Sequence, residues 1–194
     1  MTRLPDRIRL PLAFDAARLA AELDRFGPQD WVRHVARNDY EGDWTVLPLR
    51  AAAGETHPIR MIYPDLGAAR FVDTALLGRT TYLREVLGAF RCPLRCVRLM
   101  KLAAGSRIKA HCDPGLDAEN EFVRLHVPIS GDDGVAFFVN EERVPMTPGS
   151  LWYLRLTDPH RVEHGGEVDR VNLVIDARID DWLARMLRSA AAAS

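Results

Sequence analysis

The chain of 194 residues is long enough to bury a substantial core and is read most economically as one domain. Its composition, 47% hydrophobic and 27% charged, is that of an ordinary globular protein. With Lys+Arg 26, Asp+Glu 27 and a net charge of −1, there is no basic run to hold a nucleic acid or an anionic membrane. No apolar run approaches the roughly 18 residues of a membrane span. The N-terminal MTRLPDRIRLPLAFD lacks the apolar stretch of a secretory signal. Cys92, Cys96 and Cys112 are an odd number for a disulfide framework, which predicts reduced thiols and a cytoplasmic protein. Cys92 and Cys96 have no second pair to complete a zinc site, so strand-buried thiols are the better reading.

In chain order, RIRLPLA (7–13) alternates polar and apolar and predicts a first strand. Asp15 is the expected N-cap of a helix carrying Leu19, Leu23 and Phe26 on one face, stopped at Gly27-Pro28. Asn38-Asp39 and Glu41-Gly42-Asp43 mark turns before a strand that starts at Trp44. Residues 51–64 read as a loop. Residues 73–90 read as helix, broken into two short pieces near Gly78. From Cys92 the pattern becomes β-rich. Strands are expected at RCVRLMKL, RIKAHCD, FVRLHVPIS, VAFFVN, RVPM, SLWYLRL, HRVEH and DRVNLVIDA, with a turn every 8–12 residues. That series predicts a mainly β protein with flanking helices, built on a double-stranded β-helix, the cupin-like jelly roll. The expected organisation is an α-containing N-terminal region to residue 90 packed on the core, a core of residues 91–177, and a C-terminal helix and tail over 178–194.

The chemistry concentrates in that core. Side chains two apart on a strand point the same way, so His111 and Asp113 can reach one metal ion while Cys112 faces away. His160, 49 residues on, completes two histidines and a carboxylate, a set that covers one face of an iron(II) ion and leaves the other open. His164 shares its strand face and is a rival for His160. A tight turn at Gly165-Gly166 would form a hairpin placing Arg170 beside His160, where a guanidinium can anchor a carboxylate. Arg124 and His126 interrupt an apolar strand and need partners, either a bound anion or loop carboxylates such as Asp117, Glu119 or Glu121. His34 and His57 have no partner pattern and read as surface or packing residues. Arg50 and Arg79 could meet a substrate carboxylate but are by default solvated.

His111-Cys-Asp113, Val123-Arg-Leu-His-Val-Pro-Ile129, Pro148-Gly-Ser-Leu-Trp-Tyr153 and the run Pro159-His through Asp176 together resemble the aspartyl/asparaginyl β-hydroxylase family. That family of iron(II)- and 2-oxoglutarate-dependent oxygenases includes bacterial hydroxylases of free amino acids. The resemblance extends over about residues 31–182, with Asn38–Trp44 and Pro48–Arg50 matching its N-terminal part. It implies that His111, Asp113 and His160 bind iron. It implies that Arg170 holds the distal carboxylate of 2-oxoglutarate, with Arg124 and His126 as further co-substrate contacts. Two positions depart from the family: Asn is common where this chain has His164, and His where it has Asn172. The presence of Asp113 argues against a halogenase variant.

The resulting expectation is a dioxygenase using iron(II), 2-oxoglutarate and O2 to hydroxylate a small-molecule amino acid or a carrier-bound aminoacyl substrate, with release of succinate and CO2. A metal-free jelly-roll binding module and a cupin-type metalloenzyme without 2-oxoglutarate are the alternatives. The complete ligand set counts against the first and Arg170 against the second. Loops around 38–44, 50–60 and 114–121 are expected to shape the substrate pocket.

Overall fold

The structure, a computed structural model, describes residues 3–63 and 67–193. Residue 64, the end of the expected 51–64 loop, and Ser194, the end of the expected tail, lie outside the described residues.

The N-terminal region runs β1 (Arg7–Ala13), α1 (Ala16–Glu22), β2 (Val32–Arg33), β3 (Tyr40–Glu41), β4 (Trp44–Ala52), α2 (Pro58–Met61), β5 (Phe71–Asp73), α3 (Ala75–Gly78) and α4 (Tyr82–Gly88). The core follows with β6 (Leu94–Leu102), β7 (Arg107–His111), β8 (Phe122–Ser130), β9 (Val135–Val139), β10 (Glu142–Val144), β11 (Ser150–Leu154), β12 (His160–His164) and β13 (Arg170–Arg178), closed by α5 (Asp181–Ala191). The eight expected core strands are all present. Asp15 caps α1 by accepting the Arg18 N–H at 3.0 Å, and Asp180 caps α5 through the Leu183 N–H at 2.9 Å. The expected break near Gly78 separates α3 from α4. The 51–64 stretch, expected as loop, instead holds the end of β4 and the one-turn α2, which starts at Pro58 in the position where proline opens a helix.

The strands form two antiparallel sheets, a jelly roll. The larger has the order β1-β11-β8-β13-β6-β4-β2, with β5 on β4; the smaller is β10-β9-β12-β7-β3. One face of the large sheet buries Leu47, Leu99, Leu125 and Leu173 against Leu19, Leu83 and Leu183 of the helices. Its other face meets the small sheet, where Met100, Trp152 and Val174 pack with Ile108, Phe137 and Val162. No helix among the described residues is long and apolar enough to cross a membrane.

One expectation is corrected. β12 and β13 do not form a hairpin within one sheet. β12 pairs with β7 and β9 in the small sheet, whereas β13 pairs with β6 and β8 in the large one. The burial patterns explain why. From Arg170 to Ala177 every residue of β13 is buried, as a strand between helices and a second sheet must be, while β12 alternates between the interior and solvent. The connection passes close to Gly134, whose carbonyl accepts the Gly165 N–H at 3.0 Å. A side chain at Gly134 would collide with the backbone of Gly165 and Gly166.

Candidate metal and anion site

His111 ends β7 and His160 begins β12, and the two are directly paired across that ladder, with ring centroids 4.2 Å apart. Each ring is oriented by the backbone two residues earlier. His111 Nδ1 donates to the Lys109 carbonyl at 2.8 Å and His160 Nδ1 to the Asp158 carbonyl at 3.1 Å. A carbonyl only accepts, so Nδ1 carries the proton and Nε2 keeps its lone pair in both rings. This is the orientation a metal-ligating histidine needs. Asp113 lies two residues beyond the end of β7, where its N–H donates to the Leu156 carbonyl at 2.7 Å. One candidate ligand atom from each of His111, Asp113 and His160 lies within 4.8 Å of the others. Cys112, between them, is exposed, and Cys92 and Cys96 are buried free thiols.

His164 shares the buried face of β12, but both its nitrogens are used by the following turn. Nε2 meets the Val168 carbonyl at 2.9 Å, and Nδ1 accepts the Gly166 N–H at 3.2 Å. It is a turn-bracing residue. Burial pushes the pKa of His160 down to about 4, so the ring is neutral at pH 7.

The three residues line a cavity of about 940 Å³ between the sheets, together with Arg124, His126, Phe137, Arg170 and Asn172. Arg170 approaches His160 across the sheets rather than along a hairpin. Its guanidinium carbon is 5.7 Å from the centroid of the Phe137 ring, which also neighbours the parallel His160 ring at 6.1 Å and the His126 ring at 5.7 Å. Arg170 is buried, and its Nη2 has no hydrogen-bond partner among the described residues. Burial alone pushes its pKa down to about 10. Two more buried polar atoms near it, His126 Nε2 and Asn172 Oδ1, lack partners among the described residues. His126 is held neutral by burial, reinforced by the charges of Arg170 and Arg124. A fixed cation with unpartnered polar atoms beside it, all buried, is the chemistry of an anion site.

Arg124 has carboxylate partners, but not the loop residues the sequence suggested. Asp117 accepts from Asn120 and the Glu119 N–H, Glu119 pairs with Arg155, and Glu121 with Arg178. Arg124 instead donates from Nε to Asp176 Oδ1 at 2.7 Å and from Nη2 to Asp176 Oδ2 at 3.2 Å. Its Nη1 reaches Asp113 Oδ2 at 2.6 Å. Arg98 closes the group, donating to Asp176 at 2.6 Å and to the Ile62 carbonyl at 3.0 Å. Burial opposes the charge on Arg124, but Asp176 and then Asp113 outweigh it and raise its pKa.

Arg98 and Asp176 were not among the residues singled out from the sequence. The period of two would have found Asp176, since it follows Arg170, Asn172 and Val174 on one strand face. His34 also lines the cavity. Its ring stacks on Trp44 at 3.6 Å, its Nδ1 accepts the Ala36 N–H at 3.2 Å, and burial pushes its pKa down to about 4. Arg50 is tied to Asp73 and the Phe71 carbonyl, and Arg79 to Asp30 and the Arg25 carbonyl. Neither lines the cavity. The expected loops do contribute, through Asp39, Ala52, Glu55, Ile59, Pro114 and Leu116.

The family model for aspartyl/asparaginyl β-hydroxylases matches residues 14–179. The chain belongs to this family. It is 26% identical over 179 residues to an L-proline cis-4-hydroxylase of Rhizobium meliloti (strain 1021), an alignment covering 91% of this chain and 62% of that protein. It is 26% identical over 172 residues to an L-proline cis-3-hydroxylase 2 of Streptomyces sp, covering 87% of this chain and 59% of that protein. The chain thus spans about three-fifths of the length of these curated relatives. The fold is shared with an oxidoreductase of the 2OG-Fe(II) oxygenase family from Burkholderia pseudomallei. That structure has a TM-score of 0.53 at 18% identity, over 89% of this chain and 85% of the other.

Proposed function

We propose that this family member is an iron(II)- and 2-oxoglutarate-dependent dioxygenase that hydroxylates a C–H bond of an amino acid or aminoacyl substrate, releasing succinate and CO2. The observation that carries the reading is the meeting, in one cavity, of the His111–Asp113–His160 cluster and the buried Arg170, whose Nη2 has no hydrogen-bond partner among the described residues.

The donor set fits iron(II). Two imidazoles with free Nε2 atoms and one carboxylate are a two-histidine, one-carboxylate set. His111 and His160 would hold the ion through Nε2, and Asp113 through the carboxylate oxygen that Arg124 leaves unused. When bound, iron with 2-oxoglutarate and O2 supplies the oxidising chemistry. The chain's own part is binding and orientation. Arg170 holds the distal carboxylate of the co-substrate with a charge that stays on at any physiological pH. Phe137, whose ring neighbours both Arg170 and His160, adds an apolar wall that helps keep water out. Neutral His126 offers a second polar contact at the co-substrate end, and Arg124 contributes the N–H bonds not taken by Asp113 and Asp176.

The two curated relatives are named as hydroxylases of proline, which supports a small amino acid as substrate here. The test is a succinate-formation screen with iron(II), 2-oxoglutarate and O2 over free amino acids, peptides and carrier-linked aminoacyl groups. Substrate-dependent succinate from wild type, abolished in His160→Ala, is expected. Iron-loaded, folded protein that forms no succinate above background with any amino substrate would overturn the reading.

A further inference from the structure

Asp176 stands on β13, the strand between β8 and β6, and receives a guanidinium from each side. Arg124 is its cross-strand partner on β8, and Arg98 reaches it from β6. Two guanidinium groups around one carboxylate leave a buried excess of positive charge. Among the described residues, Asp113 balances it, through Arg124 Nη1 at 2.6 Å. Asp113 belongs to the other sheet, just past the end of β7. The contact therefore ties the small sheet to the large one at the candidate metal site.

We propose that Arg124 is a positioning residue for the metal carboxylate. It occupies one oxygen of Asp113, so that the other alone is presented to the ion, and the Asp176–Arg98 pair fixes Arg124 in turn. The chain of contacts is continuous: the Ile62 carbonyl, Arg98, Asp176, Arg124, Asp113. Arg124 is gripped by two hydrogen bonds to Asp176, through Nε and Nη2, which sets the plane of its guanidinium. That plane determines where Nη1 lies and hence where the Asp113 carboxylate rests. A joint held only by its own loop would be free to turn and offer both oxygens. Partners beyond the ligands commonly matter to metal affinity about as much as this arrangement suggests, with losses on the order of 10–100-fold on mutation.

The proposal rests on His111, Asp113 and His160 being the metal ligands, and its test separates the two ideas. Cobalt(II) is titrated anaerobically into wild type, Arg124→Gln, Arg124→Lys and Asp176→Asn, with affinity, visible spectrum and melting temperature recorded. Affinity should fall roughly 10–100-fold in Arg124→Gln with a changed cobalt spectrum, recover in part in Arg124→Lys, and fall in Asp176→Asn. A purely structural role would lower the melting temperature and leave affinity and spectrum as in wild type, which overturns the proposal alone. Wild type that binds no cobalt overturns the ligand set and the proposal with it. If Arg124→Gln does not fold, a crystal structure of cobalt-loaded wild type decides. One Asp113 oxygen on the metal with the other still on Arg124 is the expected result, and both oxygens on the metal, or a broken Arg124 contact, overturns it.

Discussion

Replacing Arg170 by methionine should stabilise the ligand-free protein while abolishing its affinity for 2-oxoglutarate. Arg170 is a buried cation with no carboxylate partner among the described residues, and burial lowers its pKa from the ordinary 12.5 to about 10. At about 1.36 kcal/mol per pH unit, the difference of 2.5 amounts to about 3 kcal/mol by which the fold penalises the charged side chain. The sign follows from the depressed value: the charged form is favoured in the unfolded chain, so the penalty is present at every pH below about 10. Methionine fills a similar space without the charge. A net gain of about 1–3 kcal/mol is therefore expected, with about 2–4 °C in Tm per kcal/mol for a chain of this size. Thermal melts with manganese(II), with and without 2-oxoglutarate, measure both effects. Wild type should gain about 2.7 kcal/mol at a ligand concentration 100 times Kd, and Arg170→Met should gain nothing. A variant destabilised by more than about 2 kcal/mol without ligand, or stabilised by 2-oxoglutarate as much as wild type, would refute the reasoning.

The two histidines of β12 should behave oppositely. His164→Ala loses hydrogen bonds within the turn and about 1 kcal/mol of stability but keeps wild-type metal affinity. His160→Ala loses metal binding by at least about 100-fold; isothermal titration with cobalt(II) distinguishes them. Metal-free protein should be insensitive to pH above about 7 and lose stability as pH falls from about 6.5 toward 4. Burial pushes His34 and His160 down to about 4 and His126 well below its ordinary range, so the unfolded chain takes up protons that the fold refuses. Urea titrations at stepwise pH check this, and a flat profile between pH 7 and 4.5 would contradict it. Asp113→Asn keeps the shape but removes the negative charge that Arg124 and the metal share, so melting temperature and cobalt affinity should both fall.

The strand series was legible because a jelly roll writes its turns at short, regular intervals and its sheet faces in the period of two. His111, Asp113 and His160 were singled out by spacing, a His-x-Asp triplet and a second histidine 49 residues on, and the structure brings one candidate ligand atom from each within 4.8 Å of the others. The partnering of β12 was not legible. Gly165-Gly166 signals a turn but does not say whether the chain returns along its own sheet or crosses to the other, and only the two-sided burial of β13 settles that. Arg124 shows the same limit. Its need of a partner was plain from its apolar strand, but the partner came from β13 and from the end of β7 rather than from the nearby loop. Asp176 was not singled out in the sequence; its role follows from its position beside both Arg98 and Arg124. Arg50 and Arg79 were ambiguous because a surface ion pair and a substrate contact look alike in a sequence.

On the proposed reading, one cavity holds a metal and a dicarboxylate side by side. Anaerobic titration of iron(II) and then 2-oxoglutarate, followed by visible absorption, tests it most directly, because a weak metal-to-ligand charge-transfer band appears only when the keto acid binds the metal itself. A saturable band is expected in wild type and in His164→Ala, and none in His160→Ala or in Arg170→Met at the same concentrations. No band in wild type, or an undiminished band in Arg170→Met, would contradict it.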